Sequence, residues 1–131
     1  MRAETLDSVK AARRLARAGD VTPRRIESLG RGFTGEEALA IALASSLAGG
    51  SLAEAVRMAV NHSGDSDSTG AIAGQIRGAL EGVGAIPPEW LERLELRDVI
   101  ETIAEDLYLA FHVEGALDEE GCYDLERYPG W

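Results

Sequence analysis

The residues whose types and spacing most readily do chemistry lie near the middle of the chain, in Asp65-Ser66-Asp67-Ser68. Two carboxylates and a hydroxyl stand at i, i+2 and i+3, so a tight turn entering a helix can aim all three oxygens at one point. Oxygen donors suit a hard divalent cation such as Mg²⁺, Mn²⁺ or Ca²⁺ rather than Zn²⁺ or copper. The same residues also suit a plain helix start: Asp67 or Ser66 can accept from an orphaned amide, and a carboxylate is favoured at the positive end of the dipole. His62 precedes the turn, where it can contact a substrate or a carboxylate, or serve the fold alone.

Two metal or nucleophile patterns can be tested on these residues. An EF-hand loop would match Asp65, Asp67 and Gly70, but its twelfth position, which should be Glu, is Ile76. The Asp-x-Asp-x-Thr of aspartyl-nucleophile phosphatases is present as Asp65 to Thr69, yet such a site follows a buried hydrophobic strand. Here Asn61-His-Ser-Gly64 precedes it, which leaves the phosphatase a weak rival.

The elements that must position the turn are helices. Ala and Leu dominate the apolar positions and aromatics make up only 5% of the chain, which disfavours strands. Leu6, Val9, Ala12, Leu15 and Ala16 recur at helical spacing up to a stop at Gly19-Asp20. Thr22 caps, and Pro23 opens, a short helix ending at Gly30. Thr34-Gly-Glu-Glu37 and Ser51-Leu-Ala-Glu54 read as capping boxes, the first opening a helix with Leu39, Ile41, Leu43 and Leu47, the second one with Leu52, Val56 and Val60. The turn then feeds a helix from about Asp67 to Gly84. Its Gly70, Gly74, Gly78 and Gly82 line one face at a cost of roughly 1 kcal/mol each relative to Ala, so a neighbour must approach closely there. Gln75, Arg77 and Glu81 exclude a membrane dimer of that face. Trp90, Leu91 and Leu94 form a short element, and Val99 to Phe111 a last amphipathic helix ending near His112. From about Gly115 the pattern dissolves into a polar and aromatic tail.

Composition bounds the rest. The 131 residues fit one domain, 1–131, and 45% apolar residues suffice for a core. A net charge of −10 with scattered cations gives no footprint for nucleic acid. No apolar run is long enough to span a bilayer, so no membrane partner is expected. The single cysteine, Cys122, has no internal disulfide partner and no activating basic neighbour. With no apolar leader at the N-terminus, a cytoplasmic location is expected.

Several spaced segments then agree with one family. Gly30-Arg-Gly-Phe-Thr-Gly-Glu-Glu-Ala-Leu-Ala-Ile-Ala-Leu43, Ala55 to Val60, Gly64-Asp-Ser-Asp-Ser-Thr-Gly-Ala-Ile-Ala-Gly74, Gly78 to Gly82 and Ile86-Pro-Pro-Glu-Trp90 resemble, in order, the C-terminal half of ADP-ribosylglycohydrolases. The core of the resemblance runs from about residue 26 to 110, and the final Tyr-Pro-Gly-Trp131 is similar to the ends of bacterial members. The resemblance implies an all-α fold, a compact orthogonal helical bundle, and a pair of Mg²⁺ ions, with Mn²⁺ as the alternative. It implies hydrolysis of the bond between ADP-ribose and a modified acceptor, with Asp65, Asp67 and Ser68 as metal ligands. His62 and Ser66 become the candidates for substrate binding, and no catalytic residue is assigned. The family's remaining ligands sit in a Thr-Asp-Asp type motif of an N-terminal half, and no such tripeptide occurs in these 131 residues. The expectation is therefore a hydrolase-like domain, incomplete on its own, completed by a complementary chain or a homo-oligomer. The alternative is a non-catalytic or split member acting as a binding module.

Overall fold

A computed structural model describes residues 3–112 of the chain. Among the described residues every regular element is helical, as the all-α expectation requires. The elements are α1 (Ala3–Arg17), α2 (Pro23–Ile26), a 3₁₀ turn (Glu27–Leu29), α3 (Gly35–Ala48), α4 (Leu52–Val60), α5 (Ser66–Glu81), a second 3₁₀ turn (Val83–Ala85), α6 (Pro88–Leu91) and α7 (Arg97–His112). Residue contacts divide the chain into two compact units, 1–88 and 89–131.

In the first unit α3 is the central element, packed against α1, α4 and α5. The helix carries Leu39, Ile41, Leu43 and Leu47 as expected, and its fully covered positions are mostly alanines. Ala38, Ala40, Ile41, Ala42, Ala44, Ser45 and Ser46 are buried, whereas Leu47 is 55% exposed. A helix surrounded on several sides must present small side chains so that its neighbours' backbones can come close. One cluster joins Ala12 and Leu15 of α1 to Ala40 and Ala44, with Val21, Leu29 and Leu43 packed on it. A second joins Ala42, Ala59 of α4 and Ala73 of α5, with Ile72 against it.

The caps differ in detail from their expected forms. Thr22 does accept from the Arg25 amide, with Pro23 at the first helical position. Ser51 Oγ accepts from the Glu54 amide, while the Glu54 carboxylate reaches the Gly50 amide rather than that of Ser51. Thr34 makes no side-chain cap bond, and the Glu37 carboxylate expected to reach back to it turns instead to the amides of Arg31 and Gly32. α5 starts one residue earlier than expected and stops at Glu81, where Gly82 takes φ 76°. Its cap is Asp65, not Ser66 or Asp67.

In the second unit α6 takes in Trp90 and Leu91, and Leu94 follows it. α7 carries the expected apolar residues, and its His112 imidazole stacks on Tyr108 at 4.4 Å between ring centroids, with Nδ1 3.0 Å from the Tyr108 carbonyl. The expectations for the tail after Gly115, for Cys122 and for the final Tyr-Pro-Gly-Trp131 lie outside the described residues. No described helix is long and apolar enough to cross a membrane.

Candidate metal and substrate site

The acidic turn is the junction of α4 with α5, and it rests on the loop that leads into α3. The Asp65 amide donates to the Arg31 carbonyl at 2.8 Å. Gly64 makes that contact attainable, since a Cβ there would fall onto the same carbonyl. Gly32, at φ 81°, lies against Asp65 and Thr69, and a Cβ on it would come within 2.9 Å of the Thr69 methyl. The loop is itself clamped by Glu37, whose Oε2 accepts from Arg31 N and Gly32 N at 3.1 Å each. Glu27, from the 3₁₀ turn after α2, accepts from the Ser63 amide at 3.0 Å, a link of 36 residues.

Within the turn, the sequence-predicted residues are brought together. Asp65 Oδ1 accepts from the Ser68 amide at 3.5 Å, a long capping bond. The Asp65 carboxyl is held below its ordinary range, first by hydrogen bonding with the Asp67 side chain and then with Ser68, while partial desolvation opposes. Ser66 Oγ donates to the carbonyls of His62 and Gly64 at 3.4 and 3.5 Å. His62 has both ring nitrogens engaged: Nδ1 accepts from the Gly64 amide at 3.0 Å, and Nε2 lies 3.0 Å from Thr69 Oγ1. Thr69, fully buried, donates onward to the Ala59 carbonyl at 2.7 Å.

The donor set fits a hard divalent cation. Asp65, Asp67 and Ser68 offer only oxygen, and the two carboxyls lie within hydrogen-bonding reach of one another. None of the ion pairs among the described residues involves either aspartate. No three His, Cys, Asp or Glu side chains converge among the described residues. A cation here would therefore take two carboxylates and a hydroxyl from this chain and keep several waters, which Mg²⁺ tolerates well. The rival readings fail on the fold: α4, not a strand, leads into Asp65, and Ile76 lies in mid-helix.

Comparison with known proteins gives the family of the chain. The family model of ADP-ribosylglycohydrolase matches residues 1–116. The chain belongs to the ADP-ribosylglycohydrolase family. An ADP-ribosylarginine hydrolase of Pseudomonas putida is 42% identical over 55 residues, covering 42% of this chain and 15% of that protein. A protein of Archaeoglobus fulgidus is 36% identical over 111 residues, covering 82% of this chain and 35% of its own length. The ADP-ribosyl-[dinitrogen reductase] glycohydrolase of Rhodospirillum rubrum is 50% identical over 38 residues, which is 29% of this chain and 13% of that one. The chain spans about a third or less of the length of the relatives it matches. No solved structure matches it.

Sequence reasoning missed three residues that build the site. Glu37 reads as a helix-start charge, although the Gly30-Arg-Gly32 pair of glycines five to seven residues earlier signals a loop needing a partner. Thr69 reads as part of a phosphatase pattern, not as a buried hub. Glu27 carries no local signal at all, because its partner is 36 residues away.

Proposed function

We propose that this chain supplies one side of a Mg²⁺-dependent site that hydrolyses ADP-ribose from a modified protein side chain, with Mn²⁺ able to replace Mg²⁺. The observation that carries the reading is the turn itself: Asp65, Asp67 and Ser68 gathered at the start of α5, in a chain of the ADP-ribosylglycohydrolase family. Asp65 and Asp67 would hold the cation with Ser68 as the third ligand. When bound, a divalent cation supplies Lewis acidity, orienting ribose hydroxyls and lowering the pKa of a water. The chain's own residues hold the Asp65 carboxyl below its ordinary range, fix the spacing of the donors through the Arg31-Gly32 loop, and present His62 and Ser66 at the border of the substrate. Because both His62 nitrogens are engaged, contact with substrate would be through the ring face. The name of the Pseudomonas putida relative makes ADP-ribosylarginine the first acceptor to try.

A second reading rests on the absence of a Thr-Asp-Asp motif from the 131 residues. In it the chain binds without turning over, or is completed by a second chain or a further copy of itself. Calorimetric titration of ADP-ribose, with Mg²⁺ and then with EDTA, tests the first reading. Metal-dependent binding that Asp67→Ala removes supports it. Binding that EDTA and Asp67→Ala leave unchanged overturns the metal role, and metal-dependent binding without release of ADP-ribose from a modified arginine favours the second.

A further inference from the structure

The imidazole of His62 bonds to the residues on either side of the acidic turn, and the directions of those bonds are set by chemistry. The Gly64 amide can only donate, so Nδ1, 3.0 Å away, must accept and carries no proton in the neutral ring. The proton is then on Nε2, which donates to Thr69 Oγ1 at 3.0 Å. Thr69 donates its own hydrogen bond to a carbonyl, and the nearest is Ala59 O at 2.7 Å, ahead of Asp65 O at 3.1 Å and Ser66 O at 3.2 Å. Ala59 lies in the last turn of α4. Its usual helical donor would be the amide of Ser63, which goes instead to Glu27 at 3.0 Å. One directed run of bonds thus leads from the Gly64 amide through His62 and Thr69 to the end of α4.

We infer that His62, held as the Nε2–H tautomer, is a positioning residue that brackets residues 65–68 and sets the spacing of Asp65, Asp67 and Ser68 for a divalent cation. This rests on the reading of the turn as a cation site. Gly64 immediately precedes the first ligand and Thr69 immediately follows the last, so a single rigid ring spans the donor set. An outer partner of this kind typically changes metal affinity by about 10–100-fold when removed. The ring needs neither nitrogen free for the task.

Two measurements on the full chain test the inference. Long-range ¹H–¹⁵N correlation spectra report the tautomer directly, and His112→Gln assigns the only other imidazole. The Nε2–H form is expected, and an Nδ1–H form overturns the bracket whatever the metal does. Mn²⁺ affinity, followed by water-proton relaxation, is expected to fall about tenfold or more in His62→Ala. His62→Asn keeps an acceptor for the Gly64 amide and His62→Gln a donor toward Thr69, so each is expected to recover part of the loss. These variants and the tautomer keep the question answerable if His62→Ala does not fold. Parent-like affinity in a folded His62→Ala, when Asp65→Ala abolishes binding, overturns the inference alone. No Mn²⁺ binding by the parent overturns the cation reading and the inference with it.

Discussion

The two halves of α5 carry the same glycine period and meet different surroundings. At the N-terminal end a Cβ on Gly70 would come within 2.6 Å of Val60 Cγ1, so the missing side chain is what lets α4 approach. Gly74 is looser, 3.9 Å from Val56 Cγ2, and around Gly78 and Gly82 a Cβ would meet nothing within 4 Å. Polar bonding divides the same way. The α4–α5 junction and the first turn of α5 are tied to α4, to the Arg31 loop and to the 3₁₀ turn after α2, and the hydroxyls of Ser66 and Thr69 and the His62 imidazole are paired. The second half is held chiefly by Arg77, which pairs with Glu81 and donates to the Ser46 carbonyl, and by Glu81, which accepts from the Leu52 amide. There the hydroxyls of Ser45 and Ser46 and the Nε of Arg77 are buried without a hydrogen-bond partner. A regular spacing shows where side chains are absent; only the neighbours show what that absence serves. The chemistry-bearing oxygens lie at the end where the backbone is most constrained, as a preorganised site requires.

The largest expected effect is at Gly64→Ala. Its Cβ would collide with backbone, which cannot step aside as a side chain can, so a stability loss of about 3 kcal/mol or more is expected in denaturant unfolding, with loss of metal binding. Next comes Thr69→Val, nearly isosteric, which strips the Ala59 carbonyl and the His62 Nε2–H of their buried partner and should cost about 2 kcal/mol. The sharpest pair is Gly70→Ala against Gly78→Ala. The first gains helix propensity but must displace Val60, for a net loss of about 1 kcal/mol. The second should gain about 0.5–1 kcal/mol, because nothing opposes it. Equal responses in thermal melts would erase the distinction between the two halves.

The smallest effect is in pH dependence. Glu27 is held below the ordinary glutamate range, first by the Ser63 hydroxyl, next by the Ser63 amide, with Arg31 and His62 adding attraction. A carboxylate with a depressed folded pKa contributes stability above its unfolded value, and that contribution fades as pH falls through the folded one. Glu27→Gln should therefore flatten the loss of stability below about pH 4.3 and leave the slope near neutrality unchanged.

Much of this was legible in the sequence because it is local. Helical period, Thr22-Pro23, Ser51-x-x-Glu54 and the compact Asp65 to Ser68 donor set all act within a few residues, so type and spacing suffice. The burial of α3 is not legible in its leucines, because a helix packed by three neighbours covers its small alanines instead. The first capping box failed because a nearby loop offered Glu37 two amides where Thr34 offered one. Glu27 and the Thr69 to Ala59 bond join residues brought together by folding, and no pattern along the chain announces them.

The central claim is that divalent-cation chemistry belongs to the bracketed start of α5. A Mg²⁺ titration followed by ¹H–¹⁵N backbone amide spectra measures it residue by residue. Saturable shifts confined to residues 62–69 and the Arg31-Gly32 loop, absent in Asp67→Ala and not reaching Gly78 or Gly82, are expected. Shifts that bypass the turn, or that persist in Asp67→Ala, would contradict it.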